Sequence, residues 1–239
     1  MNGFTINTRG FLEASLEFHD PQHEMTTGSD DSYWKYVVER DRDLFLGSSR
    51  RGELLELIKA WGALRGTGLS LDGLGRVLKK WVRSNRRDLQ ALRGIPIVAL
   101  SRAQVAQVGM MYWDLRKKRR LGPTCSAKLL HFLLPESVCL WDTEKVRHGT
   151  YWLGDSETDF VKYQEMGQGL ARFFVAEEGS AAISLIEKRH FRALRQKGWI
   201  THFAPGQVEA FPKIFDELVY EGIWCRAALK KLGLWDPFG

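Results

Sequence analysis

"RKKRRLGPTCSAKLLHFLLPESVCLWDTEKV", Arg116 to Val146, joins five consecutive cations to a glycine–proline turn, an apolar segment, and an aspartate between a tryptophan and a threonine. Its spacing predicts a helix end, a tight turn, a buried helix, a loop and a further helix. The helix that enters the stretch has a capping residue in Ser101 and sets Val105, Val108, Tyr112 and Leu115 on one face. After the turn, Thr124 to Leu134 is apolar on most sides through Ala127, Leu129, Leu130, Phe132, Leu133 and Leu134, which suits a central element rather than a surface one. Pro135 stops it. Asp142 then opens the next helical segment, where an N-terminal position helps keep a carboxylate ionised.

The same periodicity runs outward in both directions. Helices are expected near residues 32–46, 50–65, 71–91, 101–119, 124–134, 142–152, 156–177, 180–197 and 207–232, with glycine or proline at most of the breaks. "IPIVAL", 95–100, reads either as a short strand or as a loop leading into the helix that Ser101 caps. The fold class expected is therefore all-α. Residues 1–30 are polar and glycine-containing and read as an N-terminal arm, leaving 31–239 as the helical domain.

Composition sets bounds on function. A 239-residue chain that is 44% hydrophobic and 12% aromatic can bury a substantial core. No run approaches the roughly 18 apolar residues that span a bilayer, and the first residues lack a basic-then-apolar signal, so the expectation is a cytoplasmic, nucleoid-associated monomer with no membrane partner. Cys125, Cys139 and Cys225 are an odd number without a C-x-x-C pair, which excludes a disulfide framework and a four-cysteine metal or iron–sulfur site. They read as small buried apolar residues. The histidines show no ligand spacing, so no metal and no cofactor is expected. A formal charge of +6 is compatible with a polyanionic partner, and its distribution says more. Cations gather at Arg50-Arg51, Lys79-Lys80, Arg83/Arg86/Arg87, Arg116 to Arg120, and Lys188 to Arg195, a pattern that favours one basic face.

Within the opening stretch, Arg116, Lys117, Lys118, Arg119 and Arg120 precede the turn, and the first amides of a new helix follow it at Gly122 and Thr124. Cations before a turn and backbone donors after it make a phosphate clamp. A solvated helix end is the plainer reading of the same run.

The order of basic helix end, glycine turn, buried helix, loop and aspartate resembles the helix-hairpin-helix DNA glycosylase superfamily, and looks most like its branch related to 8-oxoguanine glycosylases. In that family a hairpin of the form G-V/I-G-x-K-x-A holds one DNA strand through backbone amides, and an aspartate in V-D-T-x-x-x-R performs base excision. Here "CSA" stands at the K-x-A end of the hairpin, with Ala127 as its alanine, and "WDTEKVR", 141–147, matches the aspartate segment. The resemblance covers about 30 residues and implies a two-lobed helical fold with an abbreviated hairpin element. It also implies double-stranded DNA with a flipped base as partner, Asp142 as catalytic carboxylate, and DNA contacts through the basic run, Gly122, Thr124, Cys125 and Lys128.

Two departures shape the expected chemistry. Cys125 occupies the position of the family's catalytic lysine, and Lys128 lies out of register, so a lyase is not expected. Leu121 and Pro123 occupy the places of the two hairpin glycines, with Gly122 between them, so the amide contacts are fewer. The family's chemistry requires base flipping, and aromatic side chains to stack the extruded base. Of nine tryptophans most must be core, and the residues singled out for a base pocket are Trp61 with Arg65, Tyr112 with Trp113, and Trp141. The activity expected is monofunctional base excision of a damaged or modified base, including a hypermodified cytosine of phage DNA. The competing expectation is a non-catalytic DNA-binding protein on the same scaffold.

Overall fold

The computed structural model describes residues 48–64, 67–118, 121–141, 154–175 and Pro212. These residues contain six α-helices and no strand: α1 Ser48–Ala60, α2 Leu71–Ser84, α3 Arg86–Leu92, α4 Arg102–Arg116, α5 Pro123–Leu133 and α6 Glu157–Val175. The described part of the chain is all-α, as periodicity predicted. The arm at 1–30, the helices expected near 32–46, 142–152 and 180–197, and nearly all of that near 207–232 lie outside the described residues.

Local chemistry accounts for the helix boundaries. α1 was expected to run to the glycines at 66–68, but it ends earlier at Gly62, whose φ of 64° is the left-handed conformation glycine adopts without strain. The Gly62 amide donates to the Lys59 carbonyl at 2.9 Å and the Ala63 amide to the Ile58 carbonyl at 3.1 Å, the paired bonds of a Schellman stop. The single helix expected over 71–91 is two. Asn85 turns both its backbone amide and its side-chain amide onto the Trp81 carbonyl, each at 3.0 Å, and this local side-chain competitor closes α2 before α3 begins. Between α3 and α4, "IPIVAL" forms no strand. It contains a 3₁₀ turn at Ile97–Ala99 and leads to α4, where Ser101 and Gln104 form a capping box with bonds of 3.2 and 2.8 Å.

One core unites the six helices. α5 lies inside it, with every residue from Cys125 to Leu133 buried, as its apolar circumference predicted. The segment that follows, 134–141, is irregular yet also wholly buried, so its backbone groups need partners inside the protein. They find several. The Glu136 carbonyl accepts from the Ile97 amide at 2.8 Å, and the Val138 carbonyl accepts from His131 Nδ1. Gln164 of α6 closes a two-point clamp on Cys139, accepting from its amide at 2.7 Å and donating to its carbonyl at 3.0 Å. One turn on, Gln168 donates to the carbonyls of Ile97 and Leu100 at 2.9 and 2.7 Å. α6 therefore fastens both connections while packing along α4. The two helices pack closely at Gly109, where any Cβ would overlap the Val161 side chain.

Candidate functional site

The basic run begins at the end of α4 and its members are held in different ways. Arg116 is paired with Asp155 through Nη2 and lies 5.4 Å from the centre of the Trp113 ring. Lys117 Nζ stands 5.0 Å from the same ring, and Lys118 Nζ is 2.8 Å from Asp114. Arg119 and Arg120 lie outside the described residues. The Leu121 amide then donates to the Lys118 carbonyl at 3.0 Å, which folds the chain into the turn and lets Leu121 enter the core.

The next helix was expected to start at Thr124. Instead Gly122 is the N-cap and Pro123 the first helical residue, a position where the missing proline N–H has no cost. Gly122 and Thr124 are partly exposed, so the head of α5 borders solvent while its body does not. Cys125 is already buried, and that burial pushes its thiol up to about 12 against a smaller opposing pull from the Lys128 charge. Lys128 does not lie at the surface where the resemblance placed a DNA contact. It is only 4% exposed, donates to the Trp61 carbonyl at 3.2 Å, and stands over the Trp61 ring. Neither side chain offers an accessible group to a phosphate.

The pocket candidates divide in the same manner. Tyr112 and Trp141 are core residues with no exposed surface: Tyr112 stacks on Phe160 at 4.0 Å, and Trp141 packs at 5.7 Å from Tyr112, 5.3 Å from Phe160 and 6.1 Å from Tyr163. The Tyr112 hydroxyl donates to the Asp155 carbonyl at 3.2 Å, which places Asp155 against both Tyr112 and Arg116. Trp61 and Trp113 are partly buried and remain within reach of solvent, with Trp61 set edge-on to Phe132 at 5.2 Å. Arg65 and Asp142 lie outside the described residues, and Trp141 is the described residue to which Asp142 is bonded.

Sequence reasoning missed Gln164 and Gln168, which hold the segment leading to Trp141. Their signal was present as two amides four residues apart on a helix face that also carries Phe160. Among the described residues no cluster of His, Cys, Asp or Glu is arranged to hold a metal ion, and no helix is long and apolar enough to cross a membrane. No family model, curated protein or solved structure matches the chain.

Proposed function

We propose that the protein is a monofunctional DNA glycosylase that draws a damaged or modified base out of a duplex, hydrolyses its N-glycosidic bond and leaves an abasic site. The observation that carries the reading is the build of residues 116–141. A basic helix end, a turn closed by Leu121, the buried α5 and a pinned, buried loop follow one another up to Trp141, the residue before Asp142.

Breaking an N-glycosidic bond leaves positive charge on the deoxyribose C1′ and O4′. A fixed carboxylate stabilises that charge once water is displaced, and the same group orients or deprotonates the attacking water. Asp142 takes this role in the proposal. Lys117, Lys118, Gly122 and Thr124 are the strand contacts that the fold leaves accessible, with Trp61 and Trp113 as the aromatics able to meet an extruded base. Arg116 serves as an anchor to Asp155 and Trp113. The substrate classes that fit are oxidised or alkylated bases and hypermodified cytosines, the last as a defence against phage DNA.

A second reading is a DNA-binding protein without catalysis, favoured by the burial of Cys125, Lys128, Tyr112 and Trp141, four of the residues assigned to contact DNA or base. A panel of duplexes carrying different lesions and modifications separates the two. Mass spectrometry of released base, with alkali-sensitive strand scission, should identify at least one substrate. Duplex binding with no base released across the panel would leave only the second reading.

A further inference from the structure

The sequence holds two basic clusters far apart, one around Lys79-Lys80 and one at Arg116 to Arg120. The fold brings Lys80 of the first and Lys117 and Lys118 of the second to one recess of about 330 Å³. α2 supplies Val77, Lys80, Trp81 and Ser84, residues at i, i+3, i+4 and i+7 that form a single helix face. The end of α4 supplies Asp114, Lys117 and Lys118, again at i, i+3 and i+4.

Charge at this place is out of balance. Three ammonium groups line the recess against one carboxylate, and that carboxylate is engaged by Lys118 at 2.8 Å. Lys80 and Lys117, both exposed, have no acidic partner among the described residues. On α2, Arg76 and Arg83 stand one turn to either side of Lys80 and are also exposed, which extends the positive strip along the helix. Donors are in excess as well, because the buried indole N–H of Trp81 finds no acceptor among the described residues. The plainer account is that cations near helix C-termini offset the partial charge of terminal carbonyls. It applies to Arg83 and Arg116, each in a last turn, but it does not explain why two helices turn their lysines toward a shared concavity. Like charges gathered in a concave site repel one another until an anion enters, and they raise the local concentration of polyanions.

We infer that this recess seats a phosphodiester of a bound nucleic-acid strand, so that the nucleic-acid surface includes α2 as well as the α4–α5 turn. The inference rests on the reading of the chain as a nucleic-acid protein, and it is independent of whether a base is excised. A strand lying from the head of α5 across Lys117 to Lys80 has its backbone neutralised by residues that no hairpin motif contains.

The test uses the full chain and a labelled, unmodified duplex, with binding followed by fluorescence anisotropy over a series of salt concentrations. Lys80→Ala with Lys117→Ala should weaken binding and lower the salt slope by up to about 1.8, from about 0.9 per lost contact. The same number of charges removed at Lys59 and Lys162, exposed residues that do not line the recess, should leave the slope unchanged. Asp114→Asn should tighten binding, because it removes the one repelling carboxylate and releases Lys118. Thermal melts of each variant confirm that it is folded. An unchanged slope in the Lys80/Lys117 pair, or an equal loss in the Lys59/Lys162 pair, would overturn the inference. So would binding to phosphatidylserine vesicles that is lost in the Lys80/Lys117 pair while duplex binding persists, since the recess would then serve a lipid surface. Base release measured on the same variants keeps the two proposals apart: a failed recess leaves Asp142-dependent excision intact, and a failed glycosylase assignment leaves the salt slopes intact.

Discussion

The Lys128 ammonium donates to the Trp61 carbonyl at 3.2 Å and stands 5.2 Å from the centre of that residue's ring. One side chain thereby ties the buried α5 to the residue at the end of α1, and its amine is committed to the carbonyl and the ring. An imine with a sugar C1′ requires a free amine that reaches the carbon, and neither Lys128 nor Cys125 supplies one. Borohydride added during turnover should therefore trap no protein–DNA adduct, and nicked strands should be seen only after heating in alkali. An adduct that vanishes in Lys128→Ala would reverse this conclusion. The same contact predicts that Lys128→Met lowers unfolding free energy by about 1–3 kcal/mol, read from denaturant curves, through the lost hydrogen bond and cation–π contact.

Asp142→Asn should keep duplex affinity within about twofold and slow base release by on the order of 100-fold or more, the scale for removing one preorganised electrostatic group. Single-turnover kinetics with saturating protein separate the two effects. Unimpaired excision by this variant would assign the chemistry elsewhere.

At the crossing of α4 and α6, Gly109→Ala places a methyl group into Val161 and should destabilise by about 1–3 kcal/mol, the usual range for overpacking. Gly52 gives the opposite sign. It lies inside α1 with nothing within 4 Å of an added Cβ, so Gly52→Ala should stabilise by about 0.5–1 kcal/mol through helix propensity. Thermal melts of the two variants should move in opposite directions.

Cys125 should resist alkylation at about pH 8.5 in the folded protein and react readily in guanidinium, as mapped by peptide mass. Burial disfavours the thiolate and pushes the folded thiol up from its ordinary 9.0 to about 12. Between those values the folded chain keeps a proton that the unfolded chain has released. The stability from this group is thus fully present below about pH 9 and is lost as pH rises toward 12. Denaturant stability of Cys125→Ala should fall less steeply over that interval.

Gln164→Leu removes two buried hydrogen bonds of the Cys139 backbone, one from its amide and one to its carbonyl. Each costs about 1–3 kcal/mol, so the variant should melt markedly lower than wild type. If the loop's hold on Trp141 sets the position of Asp142, base release should fall at temperatures where the variant is still folded.

The helical class, the central α5 and most helix boundaries were legible because each depends on short-range signals: apolar spacing, serine caps, and glycine or proline stops. The division of α2 from α3 was not, because it turns on where the Asn85 side chain points. The aromatics resisted for a related reason. Tyr112 and Trp113 are neighbours in sequence, yet adjacent helical positions face about 100° apart, so one joins Phe160 and Trp141 in the core while the other meets Arg116 and Lys117 near the surface. Lys128 was assigned to the DNA surface and the two glutamines to nothing, because a polar residue on a buried face declares its purpose only through a partner from a distant segment. Charge clusters were plain in the sequence, and their meeting at one recess was a matter of tertiary geometry.

The bonds from Gln168 to Ile97 and Leu100 and from Gln164 to Cys139 also impose an order on the growing chain. A nascent polypeptide ending before residue 157 contains all of α1 to α5 and the buried loop, but those carbonyls and the Cys139 amide have no α6 to receive them. Hydration must serve in its place, which keeps the interior open during synthesis. Closure waits for the arrival of α6, so a ribosome paused just upstream of it would hold a chain whose secondary structure is largely formed and whose interior is still wet.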